Sequence, residues 1–428
     1  MSDQPFPLDA ARKLDAGDSL QRFRDQFYLP AGRSEEPQIY FCGNSLGLQP
    51  KQAAVFVGEE LGDWQNLAVE GHFSATRPWM PYHRLLTDVT AELVGARPSE
   101  VVNMNSLTVN LHLMMVSFYR PHGERRKLLI EKGAFPSDRY AAESQVRFHG
   151  LDPDQDLLEI APRDGEYFVR DADLLQLIED RGKKIALILL PGVQYYNGQV
   201  FDMANLTDCA HQQGCLIGFD LAHASGNIPL RLHDWDVDFA CWCNYKYLNS
   251  GPGSVAGCFV HERHAKASDL PRFAGWWGHD QDSRFEMGPD FKAMPGAEGW
   301  QLSNPPILAL APVLASLNIF HEAGMGPLRE KSIAMTGLME TLLHENLGDK
   351  VEILTPPDST QRGCQLSLRL TGRRDDRESR REVFDALGER DVVCDWREPD
   401  VIRVAPVPLY NTFEEVWRFV ALLAECLE

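Results

Sequence analysis

The chain has 428 residues, room for two or three domains at about 150 residues each or for one large domain with a smaller appendage. Its 44% hydrophobic and 24% charged residues are those of an ordinary globular protein and exclude a disordered or low-complexity chain. With 62 Asp and Glu against 42 Lys and Arg the net charge is −20, which repels phosphate backbones and anionic lipid, so neither nucleic acid nor a membrane surface is an expected partner.

The first ten residues are acidic and carry Pro5 and Pro7, unlike a signal peptide. Helical periodicity runs through residues 83–94 and 108–119. Short apolar runs follow at 127–131, 185–190, 215–219, 238–243 and 255–260, with helix-length segments such as 138–148 and 203–213 between them. Strands too apolar to have a wet face, alternating with helices, predict a mainly parallel sheet covered on both sides. The longest clean apolar run, 185–190, falls far short of the roughly 20 residues that cross a bilayer. Asn304-Pro305-Pro306 ahead of the apolar pattern 307–317 predicts a long helix with an Asn cap and Pro at its first position. After about Gly326 the rhythm changes to a helix (328–345), strands near 364–370 and 401–404, and a closing helix (412–427), which predicts a smaller α+β domain.

Nine cysteines are an odd number, and Cys241, Cys243 and Cys258 sit in apolar, strand-like surroundings. A reducing, cytoplasmic compartment is the expectation. Cys241 and Cys243, one residue apart in an apolar strand where a free thiol behaves as a small hydrophobe, read as packing rather than a metal or redox pair. No metal site is expected.

Two strand ends stand out, because ligands of open α/β sheets collect at the carboxyl ends of strands. The first is Gly218-Phe219-Asp220-Leu221-Ala222-His223, where Asp220 is either a turn residue or a carboxylate facing a crevice with His223. The second is Asn244-Tyr245-Lys246-Tyr247; Lys246 is either a surface residue or an amine whose pKa falls on desolvation, freeing a nucleophile that forms a Schiff base. Asp220 and Lys246 lie 26 residues apart on successive strands. That arrangement suits pyridoxal phosphate, with a carboxylate keeping the ring nitrogen protonated and a lysine holding the aldehyde. Asn105-Ser106-Leu107-Thr108 opens a helix whose free N–H groups either are merely capped or bind the phosphate.

The sequence resembles the kynureninases, fold-type I pyridoxal phosphate enzymes akin to class V aminotransferases, along nearly its whole length. The resemblance is carried by Phe41 to Gly47, Gly71-His72 with Arg77-Pro78-Trp79, Asn110 to Leu113, Phe135-Pro136-Ser137-Asp138, Phe219 to His223, Asp238 to Leu248, Gly275-Trp276, Ser303 to Pro306, and Ile402 to Pro406. It implies hydrolytic Cβ–Cγ cleavage of L-kynurenine or 3-hydroxy-L-kynurenine to L-alanine and anthranilate or 3-hydroxyanthranilate, in tryptophan catabolism and NAD precursor supply. It also implies a large domain over residues 51–325, a small C-terminal α+β domain over 326–428, and an N-terminal segment 1–50 that joins the small one.

Residue by residue, the likeness makes Lys246 the cofactor-bearing lysine, and Leu107 and Thr108 phosphate donors. Phe135 is expected to stack on the ring, with Asp138 and Asp220 on its nitrogen side and His223 near by. Tyr245 would contact phosphate and move a proton. Trp276 and Asn304 would cross a homodimer interface to complete the partner's site. Arg403 is expected to hold the substrate α-carboxylate, with Ser45, His72, Ser303 and Asn304 also on the substrate. His72, Ser303 and Asn304 resemble the branch that prefers the 3-hydroxylated substrate, which hydrogen bonds from His72 and Asn304 to a phenol would favour. Pro191 departs from the Ser or Thr of several relatives. The rivals are another fold-type I activity, such as a cysteine desulfurase using Cys364, and a non-catalytic binding protein on the same fold.

Overall fold

The structure is a computed structural model and describes residues 6–33, 36–265, 270–371 and 376–428. Seven strands form the larger sheet in the order Val101–Asn103, Gly257–Val260, Phe239–Trp242, Leu216–Asp220, Ile185–Pro191, Lys127–Glu131, Leu157–Ile160. From Phe239–Trp242 to Leu157–Ile160 every neighbouring pair is parallel, while Gly257–Val260 runs antiparallel to both of its neighbours. The parallel majority is the expected one. The reversed strand arises because the segment before it turns at Asn249, Gly251 and Gly253, all with positive φ, and contains no helix to carry the chain back across the sheet.

The period of two decides which residues meet. Leu128, Ile130, Leu187, Leu189, Phe239 and Cys241 pack on one face with the helices Leu107–Phe118 and Pro136–Phe148. Leu129, Ile188, Leu190, Ile217, Ala240 and Trp242 pack on the other with Asp171–Arg181, Met203–Gln212 and Ile307–Ala323. Cys241 lies in the first core, its Sγ 4.0 Å from that of its cross-strand partner Cys258, and all nine cysteines are free.

Several expected boundaries shift. Residues 82–86 are a 3-10 turn, and the α-helix starts only at Thr87 and stops at Gly95, which takes φ 62°. Asn304 does not cap the long helix. Pro306 is its N-cap residue, without a side-chain bond, and Asn304 stays exposed because two prolines intervene and hold its side chain away from the first turn. The strand Leu157–Ile160 escaped the pattern because it is the sheet edge and only half-buried.

A second, four-stranded antiparallel sheet runs Asp395–Arg397, Val401–Val404, Leu366–Leu370, Val351–Ile353. Its core includes residues of Met325–Leu347, Arg377–Glu389 and Phe413–Leu427. The last helix starts at a capping box in which Thr412 and Glu415 each accept the other's backbone N–H at 3.1 Å. The Asp15 carboxylate also accepts from Phe413 N at 2.7 Å and Glu414 N at 2.9 Å, tying the helix Leu8–Ala16 to it. Ile39–Tyr40 pairs with Val392–Val393, whereas Phe23, Phe27 and Leu48 pack into the larger core, so the N-terminal segment bridges both units. No single described helix is long and apolar enough to cross a membrane.

Candidate active site

At the carboxyl ends of the central strands lies a cavity of about 230 Å³, walled by the first turns of two helices and by the ends of four strands and the loops after them. Ser106, Leu107 and Thr108 come from one helix start and Phe135, Ser137 and Asp138 from the other. Asn105 takes φ 50°, a conformation Asn tolerates, and donates to Asn110 Oδ1 at 3.0 Å; Asn110 in turn donates to the Met104 carbonyl at 2.9 Å. This pinned turn aims the first helix at the cavity. Ser106 makes no side-chain capping bond, so backbone donors of the first turn are left for a ligand. The Thr108 and Ser137 hydroxyls meet across the two helix starts at 2.8 Å.

Lys246 follows the strand Phe239–Trp242, and its Nζ lies 3.0 Å from His223 Nε2 and 5.7 Å from the centroid of Phe135. The lysine loop is held close to the Phe41–Gly47 segment, where Gly47 N donates to the Tyr245 carbonyl at 2.8 Å. A Cβ at Gly47 would stand 2.3 Å from the Lys246 carbonyl, so only glycine permits the approach. At the other end of the same strand, Asp238 accepts from Ile217 N at 2.8 Å, His264 at 2.8 Å, His211 at 3.0 Å and Arg263 at 2.6 Å. These donors overcome burial and hold its carboxyl far below the usual range, fixing the strand that delivers Lys246.

Burial pushes the Asp138 carboxyl well up, and the neighbouring Asp220 carboxyl adds to the rise. Asp220 Oδ1 also accepts from Ala222 N at 2.7 Å, so it is both the turn residue and a cavity carboxylate. Complete burial drives His223 well below the ordinary imidazole value, helped by the charges of Lys246, Arg403 and Arg397, which leaves it neutral. Tyr245 lines the cavity, and burial raises its phenol so that it keeps its proton.

The cavity therefore gathers Leu107, Thr108, Phe135, Asp138, Asp220, His223, Tyr245 and Lys246. It does not include the other residues expected of the site. Trp276 and Asn304 are exposed, as is Ser303, while His72 is half-buried with Nδ1 2.9 Å from the Val69 carbonyl. Ser45 is half-buried in the loop that touches Tyr245. Arg403 is fully buried in the smaller sheet, bonded to Asp395 and to the Tyr195 carbonyl. Pro191 ends its strand on the cavity wall.

Two polar wall residues went unnoticed in the sequence. Glu131 closes an apolar strand and is 4% exposed, with Oε2 lacking a hydrogen-bond partner among the described residues. Its signal was present, an acid at the carboxyl end of a buried strand beside Phe135-Pro136-Ser137-Asp138. Tyr195, edge-on to Phe135 at 5.3 Å, follows Pro191 in a loop that carries no local pattern.

A family model for aminotransferase class V matches residues 48–266, and one for the kynureninase C-terminal domain matches residues 328–423. The kynureninase of Koribacter versatilis (strain Ellin345) is 58% identical over 410 residues, covering 96% of this chain and 95% of that protein. The chain belongs to the kynureninase family. The kynureninase of Myxococcus xanthus (strain DK1622) is 56% identical over 413 residues, covering 96% of each chain. A solved C-DES mutant with glycine covalently linked to its PLP cofactor superposes with a TM-score of 0.77 at 18% identity, covering 94% of this chain and 99% of that one. A cysteine desulfurase from Thermococcus onnurineus NA1 superposes with a TM-score of 0.72 at 16% identity, covering 99% of each. At that identity these two share the fold alone.

Like its family, the chain is a pyridoxal phosphate-dependent hydrolase. The cavity fits that cofactor on its own chemistry: unfilled helix-start donors suit a phosphate, an exposed ring face of Phe135 suits stacking, and a buried carboxyl pair suits a pyridinium. Cys364, the residue a desulfurase reading needs, is buried at the start of a core strand with its thiol pushed up to about 12 by burial, the opposite of a reactive thiolate.

Proposed function

We propose that this cavity cleaves the Cβ–Cγ bond of L-kynurenine and 3-hydroxy-L-kynurenine, releasing L-alanine and the aromatic acid, a step of tryptophan breakdown. The observation that carries the reading is the meeting of Lys246, His223 and the Asp138–Asp220 pair in one cavity of a chain 58% identical to a kynureninase.

When bound, pyridoxal phosphate supplies an electron-withdrawing ring that spreads negative charge from the substrate α-carbon. Leu107 and Thr108 would hold its phosphate through the helix start, Phe135 would cover its ring, and the buried Asp138 and Asp220 carboxyls would serve its nitrogen. Lys246 would carry the cofactor and, as a free amine, would take the proton from the substrate Cα. Neutral His223, 3.0 Å away, accepts from the lysine and orients it without adding a competing charge. Tyr245, protonated at neutral pH, gives a proton to Cβ after water has attacked the γ-carbonyl and the aromatic acid has left. Arg403 receives the α-carboxylate, for which a planar two-pronged donor is suited.

The site is completed by a second copy of the chain. Trp276, Ser303 and Asn304 stay exposed on a surface that also presents Phe285 and Met287, and in a dimer this surface brings Trp276 and Asn304 to the neighbour's cofactor. His72 and Asn304 read the 3-hydroxyl. Nine unpaired cysteines suit a cytoplasmic setting. The test is the ratio of kcat/KM for 3-hydroxy-L-kynurenine over L-kynurenine on cofactor-saturated protein, following the aromatic acid. A ratio well above one is expected; a ratio below one removes His72 and Asn304 as hydroxyl readers, and turnover of neither overturns the function.

A further inference from the structure

We propose that Asp395 is a built-in substitute for the substrate α-carboxylate: it neutralises Arg403 in the empty site and yields it when an α-amino acid binds. The inference rests on the proposed role of Arg403 and adds a residue that controls that subsite.

The arrangement follows from strand register. Asp395 and Arg403 are cross-strand partners in the antiparallel pair Asp395–Arg397 and Val401–Val404, and Arg397 lies two residues from Asp395 on the same face. Asp395 Oδ2 accepts from Arg403 Nη2 and also, at 3.0 Å, from Arg397 Nη2. Arg403 Nη1 donates to the Tyr195 carbonyl at 2.5 Å, while its Nε makes no hydrogen bond among the described residues. The Arg403 side chain is fully buried behind Tyr195, which walls the cavity, and the Arg397 guanidinium lies 6.0 Å from the Tyr195 ring centroid with a third of its side chain exposed.

Two arginines and one aspartate leave a single positive charge, matched to one carboxylate. While Asp395 holds Arg403, a second anion is attracted by the guanidinium and repelled by the carboxylate beside it, so most of the pull cancels. A two-pronged bond from Arg403 to the substrate therefore requires Asp395 to let go. It has somewhere to go. Arg397 remains as its partner, and Asp395–Arg397 is the edge strand, so a side-chain rotation suffices and no ladder breaks. An amine without a carboxylate leaves the Asp395–Arg403 pair in place and gains nothing, which selects for α-amino acids, and the returning carboxylate helps expel the product.

The experiment titrates the holoenzyme with L-alanine, the aliphatic product, and follows the visible absorbance of the bound cofactor. Asp395→Asn keeps the shape and removes the competing charge, and its L-alanine Kd is expected to fall by roughly tenfold. Arg397→Gln removes the alternative partner, pins Asp395 to Arg403, and is expected to raise the Kd. A merely structural role would weaken binding in both variants. An unchanged or raised Kd in Asp395→Asn overturns the proposal, and so does an unchanged or lowered Kd in Arg397→Gln, which keeps the test open if one variant does not fold. Failure of the underlying functional reading would show in the unaltered enzyme, as no kynurenine turnover and no spectral response to L-alanine.

Discussion

Glu131→Gln should stabilise the cofactor-free protein, by an amount that depends on pH. Burial at 4% exposure pushes the Glu131 carboxyl up to about 8, opposed only in part by a hydrogen bond from Gln194. In the unfolded chain the same group titrates near 4.3 by its ordinary value. Between those two values the folded state keeps a proton that the unfolded state has released, so stability falls as pH rises, by about 1.4 kcal/mol per unit for this one group. By pH 7 the accumulated penalty is on the order of 3 to 4 kcal/mol, and Gln, of equal size and uncharged, does not incur it. Urea unfolding of both proteins at pH 5, 6, 7 and 8 reads the difference directly. The stability gain of Glu131→Gln should grow from about 1 kcal/mol at pH 5 to its full size near pH 8 and then level off. Curves that stay parallel across this range would refute the reasoning, because they would mean that Glu131 binds no extra proton in the folded state.

Tyr245→Phe should fold and bind cofactor with a normal visible spectrum while kcat falls on the order of 100-fold, the usual size of a lost proton-transfer group; steady-state kinetics with either substrate reads it. Asp238→Asn should cost about 3 kcal/mol in urea unfolding, because it leaves Arg263, His211 and His264 around an uncharged amide at the foot of the Lys246 strand.

What the sequence could reveal follows a physical divide. The strands that end at Asp220 and just before Lys246 are uniformly apolar because both sheet faces are covered, and an uninterrupted apolar run is visible without a structure. The helix start at Ser106 to Thr108 shows itself for the same reason, since a polar turn abruptly meets an apolar helix. Relations between distant segments are what stay hidden. Nothing local says that the carbonyl of Tyr195 meets Arg403, 208 residues away, or that Asp395 faces it across a strand pair. Register is set by the whole sheet, so Arg403 could be recognised only by resemblance, and its aspartate partner not at all. Asn304 misled because an Asn before two prolines matches a cap pattern, while the prolines hold it away from the helix.

The central claim is that Lys246 carries the cofactor in this cavity. Borohydride reduction of the holoenzyme, digestion and mass spectrometry should place the pyridoxyl phosphate mass on the peptide containing Lys246, and Lys246→Ala should retain no covalent label. A label on any other lysine, or an undiminished label in Lys246→Ala, would contradict the account.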